Sequence, residues 1–289
     1  MITNIDCITP LGNSVTLSLD PSQSPYVVKN IDGLGPVSAN IARTNYVTKD
    51  GSIFQNARAG DRNIVITLGL NADYSTTTDP YGELRRSLYP VLGPKSEVKL
   101  VIESTELETV EISGWVESFE PAIFSKDPDV QISIICPDPY FSSQVNVVAT
   151  RTGQGLLTVT NPGNVETGFT LLVDGFTTPT YPLSFNRTLP TAKTMEYRGG
   201  MYIQGNLMSL YFVTHQGYKQ AEWDVSGFNE GGSGATDPFA PFDGLPVLGF
   251  VNGWGSVLPG SNTFNLVING QVSGPAVTTL FFKPKYMGF

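Results

Sequence analysis

His215 is the only histidine in the chain, so a Ser–His–Asp triad would have to use it as its general base. It directly follows the apolar and aromatic residues 210–214, which places it at the end of a predicted strand. The sequence contains no Gly-x-Ser-x-Gly turn that would present a nucleophilic serine. The favoured interpretation is therefore an ordinary histidine at a strand edge, and no catalytic residue is predicted.

Four carboxylates in the first half of the chain, Glu117, Glu120, Asp127 and Asp129, are the other candidates for chemistry. A glycosidase needs two carboxylates that face each other across a cleft, and proximity in sequence does not establish that arrangement. Asp127-Pro128-Asp129 is typical of a turn, and the twelve-residue calcium loop is absent. One histidine and two cysteines exclude the usual zinc sites, and there is neither a Walker A loop nor a dinucleotide fingerprint. No metal or cofactor site is predicted.

The two cysteines, Cys7 and Cys136, match no metal or redox spacing. Cys136 continues the alternation of Val130, Ile132 and Ile134, which favours a small buried side chain on a strand. Nothing in the spacing supports a disulfide. We expect synthesis in a reducing cytoplasm, or at least no need for an oxidising compartment.

Aromatic residues make up 11% of the chain, and many of them lie late in the sequence. Trp223 stands next to an acidic residue, and Trp254 lies in a glycine-rich stretch. Exposed aromatic rings on a β-sandwich can stack on sugars or mark a protein interface, whereas buried ones simply build the core. Trp223 and Trp254 are therefore candidates for glycan or partner contacts, with a role in the core as the alternative.

Length and charge narrow the class of protein. The 289 residues correspond to about two domains at roughly 150 residues each. The formal net charge is −9, which argues against binding to a nucleic-acid backbone. No apolar run approaches the length of a membrane-spanning helix, and residues 1–6 do not resemble a secretory signal. No membrane insertion is predicted.

The hydrophobic pattern has a period of two residues along most of the chain, which is typical of half-buried strands. The alternating groups are Ile64, Ile66, Leu68 and Leu70; Val98, Leu100 and Ile102; Phe169, Leu171 and Val173; and Phe264, Leu266 and Ile268. Asn269-Gly270 predicts a tight hairpin after the last group. Many short strands between turn residues indicate a mainly β protein built as sandwiches or barrels.

One helix is predicted within this β pattern. It begins at Asp79-Pro80, where an aspartate caps the helix and a proline fits its first turn. Tyr81, Leu84 and Leu88 share a helical face, and we expect Pro90 to end the helix. Arg85 and Arg86 would then lie late in it, where cations suit a helix C-terminus.

A domain boundary is expected in the proline- and serine-rich stretch that ends at residue 143. The first domain is predicted at residues 1–143 and the second at 144–289. Between the predicted strands of the first domain, residues 49–62 form a polar segment with a turn signal at Asp50-Gly51. This arm carries Lys49, Arg58 and Arg62. It is either a long surface hairpin or an arm that reaches a neighbouring subunit.

Several segments occur together in the order found in a known family. They are NIDGLGPV (30–37), the arm leading into RNIVITL (62–68), LRRSLY (84–89), ISGWVES (112–118), FSK (124–126), VQISIICPDPYF (130–141), NPGN (161–164) and FFKPKYMGF (281–289). In order and spacing they resemble the distal tail proteins of long-tailed, non-contractile bacteriophages. Residues 191–260 resemble nothing that we can place.

The resemblance implies a structural role and a two-domain fold. The first domain would be a β-sandwich with one helix and a β-hairpin arm, and six copies would close into a ring. The second would be an outward-facing, galectin-like β-sandwich. The last strand, residues 278–289, would be able to return to the first domain.

The resemblance also implies a place in the virion, at the distal end of the phage tail. The ring would join the tail tube protein to the tail-associated or fibre hub protein, and DNA would pass through its lumen without specific binding. The outward domains would hold receptor-binding proteins or touch glycans of the host surface. No enzyme activity is implied.

We select as ring-interface candidates Lys49, Phe54, Arg58 and Arg62 of the arm and Arg85 and Arg86 of the helix. A basic arm that meets an acidic neighbour would set the register of a head-to-tail contact. The alternative hypothesis is a carbohydrate-binding β-sandwich module that attaches to the host cell surface. A hydrolase that acts on envelope polymers is a third, with little support in the sequence.

Overall fold

The computed structural model describes residues 2–46, 48–105, 108–122, 128–189, 193–197, 208–214, 221–226 and 256–288. The chain divides into two compact units. The first contains residues 1–144 together with 286–289, and the second contains residues 145–285. Residues 278–282 belong to the second unit, so it is the last four residues that join the first unit.

The described residues of the first unit form ten strands, one α-helix and a 3₁₀ turn at Ala72–Tyr74. The strands are β1 (Ile2–Ile8), β2 (Ser14–Ser18), β3 (Tyr26–Asp32), β4 (Ala39–Asn45), β5 (Ser52–Ala59), β6 (Arg62–Leu70), β7 (Glu97–Ser104), β8 (Val110–Pro121), β9 (Asp129–Cys136) and β10 (Phe141–Ser143). Tyr286, in the two-residue strand β18 (Lys285–Tyr286), packs against the core of this unit.

Seven strands of the first unit form a closed sheet. Their order is β8, β7, β1, β2, β3, β6, β9, and β9 pairs again with β8. Neighbouring strands are antiparallel except β2 and β3, which share one parallel pairing. The predicted β-sandwich therefore has a barrel-like form, and β10 pairs with β8 beyond the closed part.

The interior of this barrel follows from the period-two pattern, because alternate side chains of a strand point to the same face. Ile64, Ile66 and Leu68 on β6 are buried, as predicted. Val98, Leu100 and Ile102 on β7 are also buried, as predicted. Leu70, at the end of β6, is only partly buried.

Both cysteines complete inward-facing rows of the same barrel. Cys136 ends the row of β9 and Cys7 lies on β1, and both are buried and free. Cys136 therefore has the predicted position of a small core side chain. Burial raises the pKa of the Cys136 thiol to about 12.

The helix, α1, spans Pro80–Leu92 and begins where the sequence predicts. The Asp79 carboxylate accepts a hydrogen bond of 3.0 Å from the backbone N–H of Gly82. The prediction that Pro90 ends the helix is wrong, since the helix continues to Leu92. Proline removes one backbone donor, but Val91 and Leu92 bury their side chains in the core immediately after it.

This longer helix also changes the position of the two arginines. Arg85 and Arg86 lie in the middle of α1 rather than in its last turn, which contains no basic residue. Arg86 lies 3.7 Å from the carboxylate of Asp79, with both side chains exposed. Such an exposed pair contributes little to stability.

The second unit is built around two long strands. The described strands are β11 (Val147–Thr152), β12 (Gly155–Asn161), β13 (Thr170–Leu189), β14 (Lys193–Tyr197), β15 (Met208–Thr214), β16 (Ala221–Ser226) and β17 (Gly260–Phe282). Strand β17 pairs with β12 through its first half and with β11 through its second half. Strand β13 pairs with both halves of β17.

The hairpin predicted at Asn269-Gly270 is wrong. Strand β17 runs through this pair, and Gly270 is paired with Pro179 of β13. The register between β13 and β17 shifts on both sides of this position, but the chain does not reverse there. At the start of β13, Phe169 is buried and its ring packs edge-on against Phe264 at 5.7 Å between centroids.

The described parts of the chain thus confirm a mainly β fold with one helix and a β-hairpin arm. Within them, no helix is long and apolar enough to cross a bilayer.

Candidate assembly surface

The β-hairpin arm consists of β4 and β5, which form a two-stranded sheet of their own. Asp50-Gly51 lies in the connecting turn, as predicted, and Gly51 has a positive φ of 102° that glycine tolerates readily. The N–H of Tyr46 donates to the carbonyl of Gly51 at 3.3 Å and closes the turn. The hairpin is longer than the segment that the sequence singles out, because its first strand begins at Ala39.

Every residue of both strands of the arm is exposed to solvent. Among them, Ile41 is 59% exposed and Phe54 is 64% exposed. An isolated two-stranded hairpin is marginally stable in water, and exposed apolar side chains in one place commonly mark an interaction site.

The strand register divides the arm into two different faces, because directly paired residues lie on the same side of a sheet. Arg43 pairs with Phe54 and Ile41 with Ala57, whereas Asn40 pairs with Arg58 and Thr44 with Ile53. We call the first side the apolar arm face; it carries Ala39, Ile41, Arg43, Asn45, Ser52, Phe54, Ala57 and Ala59. The opposite side carries four polar residues, Asn40, Thr44, Asn56 and Arg58, together with Ala42 and Ile53.

The arm is basic, although the chain as a whole is acidic. Residues 38–60 contain Arg43, Lys49 and Arg58 against a single acidic residue, Asp50. Lys49 lies over the ring of Tyr46, with its Nζ 4.1 Å from the ring centroid. None of the three cations forms an ion pair with a residue that the structure describes. Their charges are therefore available to an acidic partner.

Arg62, selected from the sequence as a ring-interface candidate, has a buried side chain in the first unit. Its side chain is 1% exposed and lies inside the first unit, beside the ring of Phe141. It donates hydrogen bonds to four backbone carbonyls: those of Gly33, of Gly35 at 2.6 Å, of Pro139 at 2.7 Å and of Met287 at 2.6 Å. Desolvation by burial lowers the pKa of the Arg62 guanidinium.

The sequence contained a signal for this burial. Arg62 is in phase with Ile64, Ile66 and Leu68 on β6, so the period-two rule places it on the inward face. An inward arginine is stable only where enough acceptors surround it, and the carbonyls that do so come from distant segments.

The remaining interface candidates divide between two elements. Lys49, Phe54 and Arg58 lie together on the arm. Arg85 and Arg86 lie on α1, where Arg85 is half-buried and Arg86 is exposed next to Asp79. The structure therefore groups three of the six candidates on one element, the arm, with Phe54 and Arg58 on opposite faces of it.

The residues considered for chemistry do not form a described catalytic site. The Glu117 carboxylate lies 2.9 Å from the Ser133 hydroxyl, and Asp129 pairs with Lys29 at 2.5 Å. Glu120 is exposed. No group of three potential metal ligands occurs among the residues that the structure describes.

Other candidates from the sequence lie outside the description. Asp127, His215 and Trp254 are not among the described residues. The backbone of Trp223 lies in β16, but its side chain is not described.

A second exposed surface of the first unit was missed by the sequence analysis. Trp115 is 46% exposed and lies on the outer side of β8. It is paired with Glu97 of β7 on one side and with Ile135 of β9 on the other. Its alternation with the buried residues Gly114 and Val116 was a signal that could have placed it outward.

Comparison with known proteins gives a domain match over part of the chain and a similar fold. Residues 21–161 match the family model of the phage tail protein RIFT-related domain. The fold is similar to the crystal structure of Dit from phage SPP1, described as a paradigm of the hub adsorption apparatus in phages that infect Gram-positive bacteria. The TM-score is 0.63 at 13% identity, with 96% of this chain and 98% of that chain covered.

Two further structures are more distant. They are the phage P2 baseplate in its activated conformation with Ca and with Sr, at TM-scores of 0.44 and 0.41 and 9% identity. The alignments cover 100% of both chains in the first case, and 96% of this chain and 97% of that chain in the second. No curated protein matches the sequence. The resemblance to distal tail proteins is thus confirmed in domain family and in fold.

Proposed function

We propose that this protein, which carries a phage tail protein RIFT-related domain and has the fold of a distal tail protein, is a structural hub of a phage tail. Six copies close into a ring at the distal end of the tail. The ring joins the tail tube protein to the fibre or baseplate proteins. DNA passes through its lumen, and the protein catalyses no reaction.

The observation that carries this proposal is the exposed, two-faced arm. Both strands of this hairpin are exposed throughout, and a two-stranded hairpin is marginally stable by itself. Contact with a partner would therefore stabilise it. A ring of identical subunits requires two different complementary surfaces on each copy, and a projecting arm supplies one of them.

The charge distribution is consistent with such a contact. The chain as a whole has a net charge of −9, although its arm is basic. An arm of one copy is therefore attracted to the body of the next, and this attraction favours the correct register of the ring.

The acidic character of the chain also bears on DNA. A lumen formed by subunits of net charge −9 repels the phosphate backbone, so that DNA slides through without being held. A filter-binding or gel-shift measurement at low salt is expected to show no retention of double-stranded DNA. A positive lumen with tight DNA binding would contradict this part of the proposal.

The second unit, residues 145–285, is proposed to face outward as a galectin-like sandwich that holds receptor-binding proteins or touches host-surface glycans. This placement follows from the resemblance to distal tail proteins.

The test of the ring is the mass and shape of the purified protein. We expect light scattering to detect a species of about six times the 31.2 kDa of one chain, with a central hole in negative-stain images. A ring can require the tail tube as a template, so the measurement is repeated with the tube protein present. A strict 31.2 kDa monomer under both conditions would overturn the proposed hub.

A further inference from the structure

The outer face of the barrel around Trp115 has the composition of a docking surface. In one row across the sheet, Glu97 of β7, Trp115 of β8, Ile135 of β9 and Asn63 of β6 are directly paired neighbours. Along β8, Ser113 and Glu117 flank Trp115 on the same outward side. We call this group the Trp115 surface.

The two carboxylates of the Trp115 surface form no ion pair with a described cation, and the nearby Lys99, which is paired with Ser113, lies 3.5 Å from Glu111 instead. Neither Glu97 nor Glu117 forms an ion pair with a residue that the structure describes. Glu117 is held in place by the hydroxyl of Ser133, which lies 2.9 Å from it and 3.0 Å from the side-chain oxygen of Asn63. The surface therefore offers an aromatic ring with two negative charges close to it.

The apolar arm face has the complementary composition. Ile41 and Phe54 supply exposed apolar area, and Arg43 lies directly opposite Phe54 on the same side. Arg43 forms no ion pair with a described residue. A guanidinium can stack on a tryptophan ring while it donates hydrogen bonds to carboxylates, which Lys49 at the turn could do less well.

We propose that the apolar arm face of one copy packs on the Trp115 surface of the next copy, with Arg43 placed between Glu97 and Glu117. This contact rests on the proposed ring, and it names the two surfaces that a head-to-tail arrangement requires. Ile41 and Phe54 lose their exposure against Trp115 and Ile135. The charges steer the arm to this face and fix its register.

The contact is tested first by disulfide trapping between two variants of the full chain. Ile41→Cys on the arm is mixed with Ser113→Cys beside Trp115, and the mixture is oxidised with copper phenanthroline. The native thiols do not compete, because Cys7 and Cys136 are buried. We expect a covalent dimer on a non-reducing denaturing gel, which must be intermolecular because each variant carries one new cysteine.

The matched control is Asn40→Cys mixed with Ser113→Cys. Asn40 is the neighbour of Ile41 but lies on the opposite face of the same exposed arm. We expect about tenfold less dimer from this pair, since the wrong face of the arm is presented. Equal trapping by the two pairs would overturn the proposed contact.

Charge reversal supplies an independent measurement. Arg43→Glu alone and Glu97→Lys with Glu117→Lys are each expected to weaken self-association about tenfold or more, measured by sedimentation velocity. Combining the three substitutions is expected to restore most of the loss. If the combined variant associates no better than the weaker parent, Arg43 does not meet these carboxylates.

The outcomes separate this inference from the proposed hub. If the wild type forms rings but Ile41→Cys and Ser113→Cys give no specific dimer, the arm docks elsewhere or another tail protein covers the Trp115 surface. The contact is then wrong while the hub stands. If the wild type remains monomeric with and without the tube protein, and no dimer is trapped, both are overturned.

Discussion

A guanidinium nitrogen of Arg62 lies 2.6 Å from the carbonyl oxygen of Met287, although 225 residues separate them in the sequence. The same side chain donates to carbonyls of Gly33, Gly35 and Pro139. One buried cation thus connects the start of β6 with the loops after β3 and β9 and with the last residues of the chain. No carboxylate takes part in these hydrogen bonds.

Replacement of Arg62 by alanine is expected to destabilise the first unit by about 3 kcal/mol, because four backbone carbonyls lose the donor that connects them. Arg62→Lys is expected to rescue little, since an ammonium cannot reproduce the planar fork of donors. The chain has two compact units, so the readout is hydrogen exchange of the β6 and β9 amides rather than one global transition.

The control for Arg62 is Arg86→Ala, because Arg86 is an exposed arginine of the same unit. This substitution should change the free energy of opening, obtained from the exchange rates, by no more than about 0.5 kcal/mol. A truncation after Lys285 removes the Met287 carbonyl, and Arg62→Ala should then cost about 1 kcal/mol less than in the full chain. Strict additivity would argue against the Arg62–Met287 connection.

Gly33 is expected to be the glycine of the first unit that tolerates substitution least. It has a φ of 91°, and an added Cβ would collide with the carbonyl of Asn63. Gly33→Ala should therefore cost more than the roughly 1 kcal/mol of backbone strain alone. Gly12→Ala is the matched control, since Gly12 has a φ of 84° but open space around it. Equal decreases in thermal midpoint for the two variants would show that the backbone moves to relieve the collision at Gly33.

The two thiols are expected to resist alkylation while the protein is folded. With a pKa of about 12 for Cys136, only about one molecule in ten thousand carries the thiolate at pH 8. Burial likewise raises the pKa of Cys7. Iodoacetamide at pH 8 should modify neither cysteine in native protein and both in urea. Rapid native labelling would contradict the buried positions.

The same shifts predict a loss of stability in alkali. Above about pH 8.5 the unfolded state releases the protons of these thiols, whereas the folded state keeps them. The free energy of unfolding is therefore undiminished below that pH and decreases as the pH rises towards 12. The slope is about 1.4 kcal/mol per pH unit for each thiol. Replacing Cys136 with alanine should remove its share of the slope, as measured by urea unfolding between pH 8 and pH 10.

Substitutions on the apolar arm face are expected to separate assembly from folding. Ile41→Ser and Phe54→Ser remove apolar side chains that are exposed in one copy, so thermal stability of the monomer should change by no more than about 0.5 kcal/mol. Ring formation, measured by light scattering, should be lost or strongly weakened. Thr44→Ser on the polar face serves as the control, and rings that survive the double variant would exclude this face as the contact.

The sequence determined the features that depend on near neighbours. The alternation of Ile64, Ile66 and Leu68 fixed an inward face of β6, because successive side chains of a strand point to opposite sides. Asp79-Pro80 fixed the start of the helix, and Asp50-Gly51 fixed the turn of the arm. These preferences are local, and tertiary packing agrees with them.

Tertiary structure decided the outcome wherever local preference and packing disagree. It also determined which distant groups meet. Pro90 and Asn269-Gly270 would end a helix or reverse a strand in isolation, but burial of Leu92 and pairing with β13 outweigh those preferences. Arg62 lies inside because carbonyls from residues 33, 35, 139 and 287 surround it. The closure of the sheet by β8 and β9 also brings Trp115, Glu97 and Ile135 into one row. No local pattern encodes these contacts, because each one joins segments that are distant in the sequence and come together only when the chain folds.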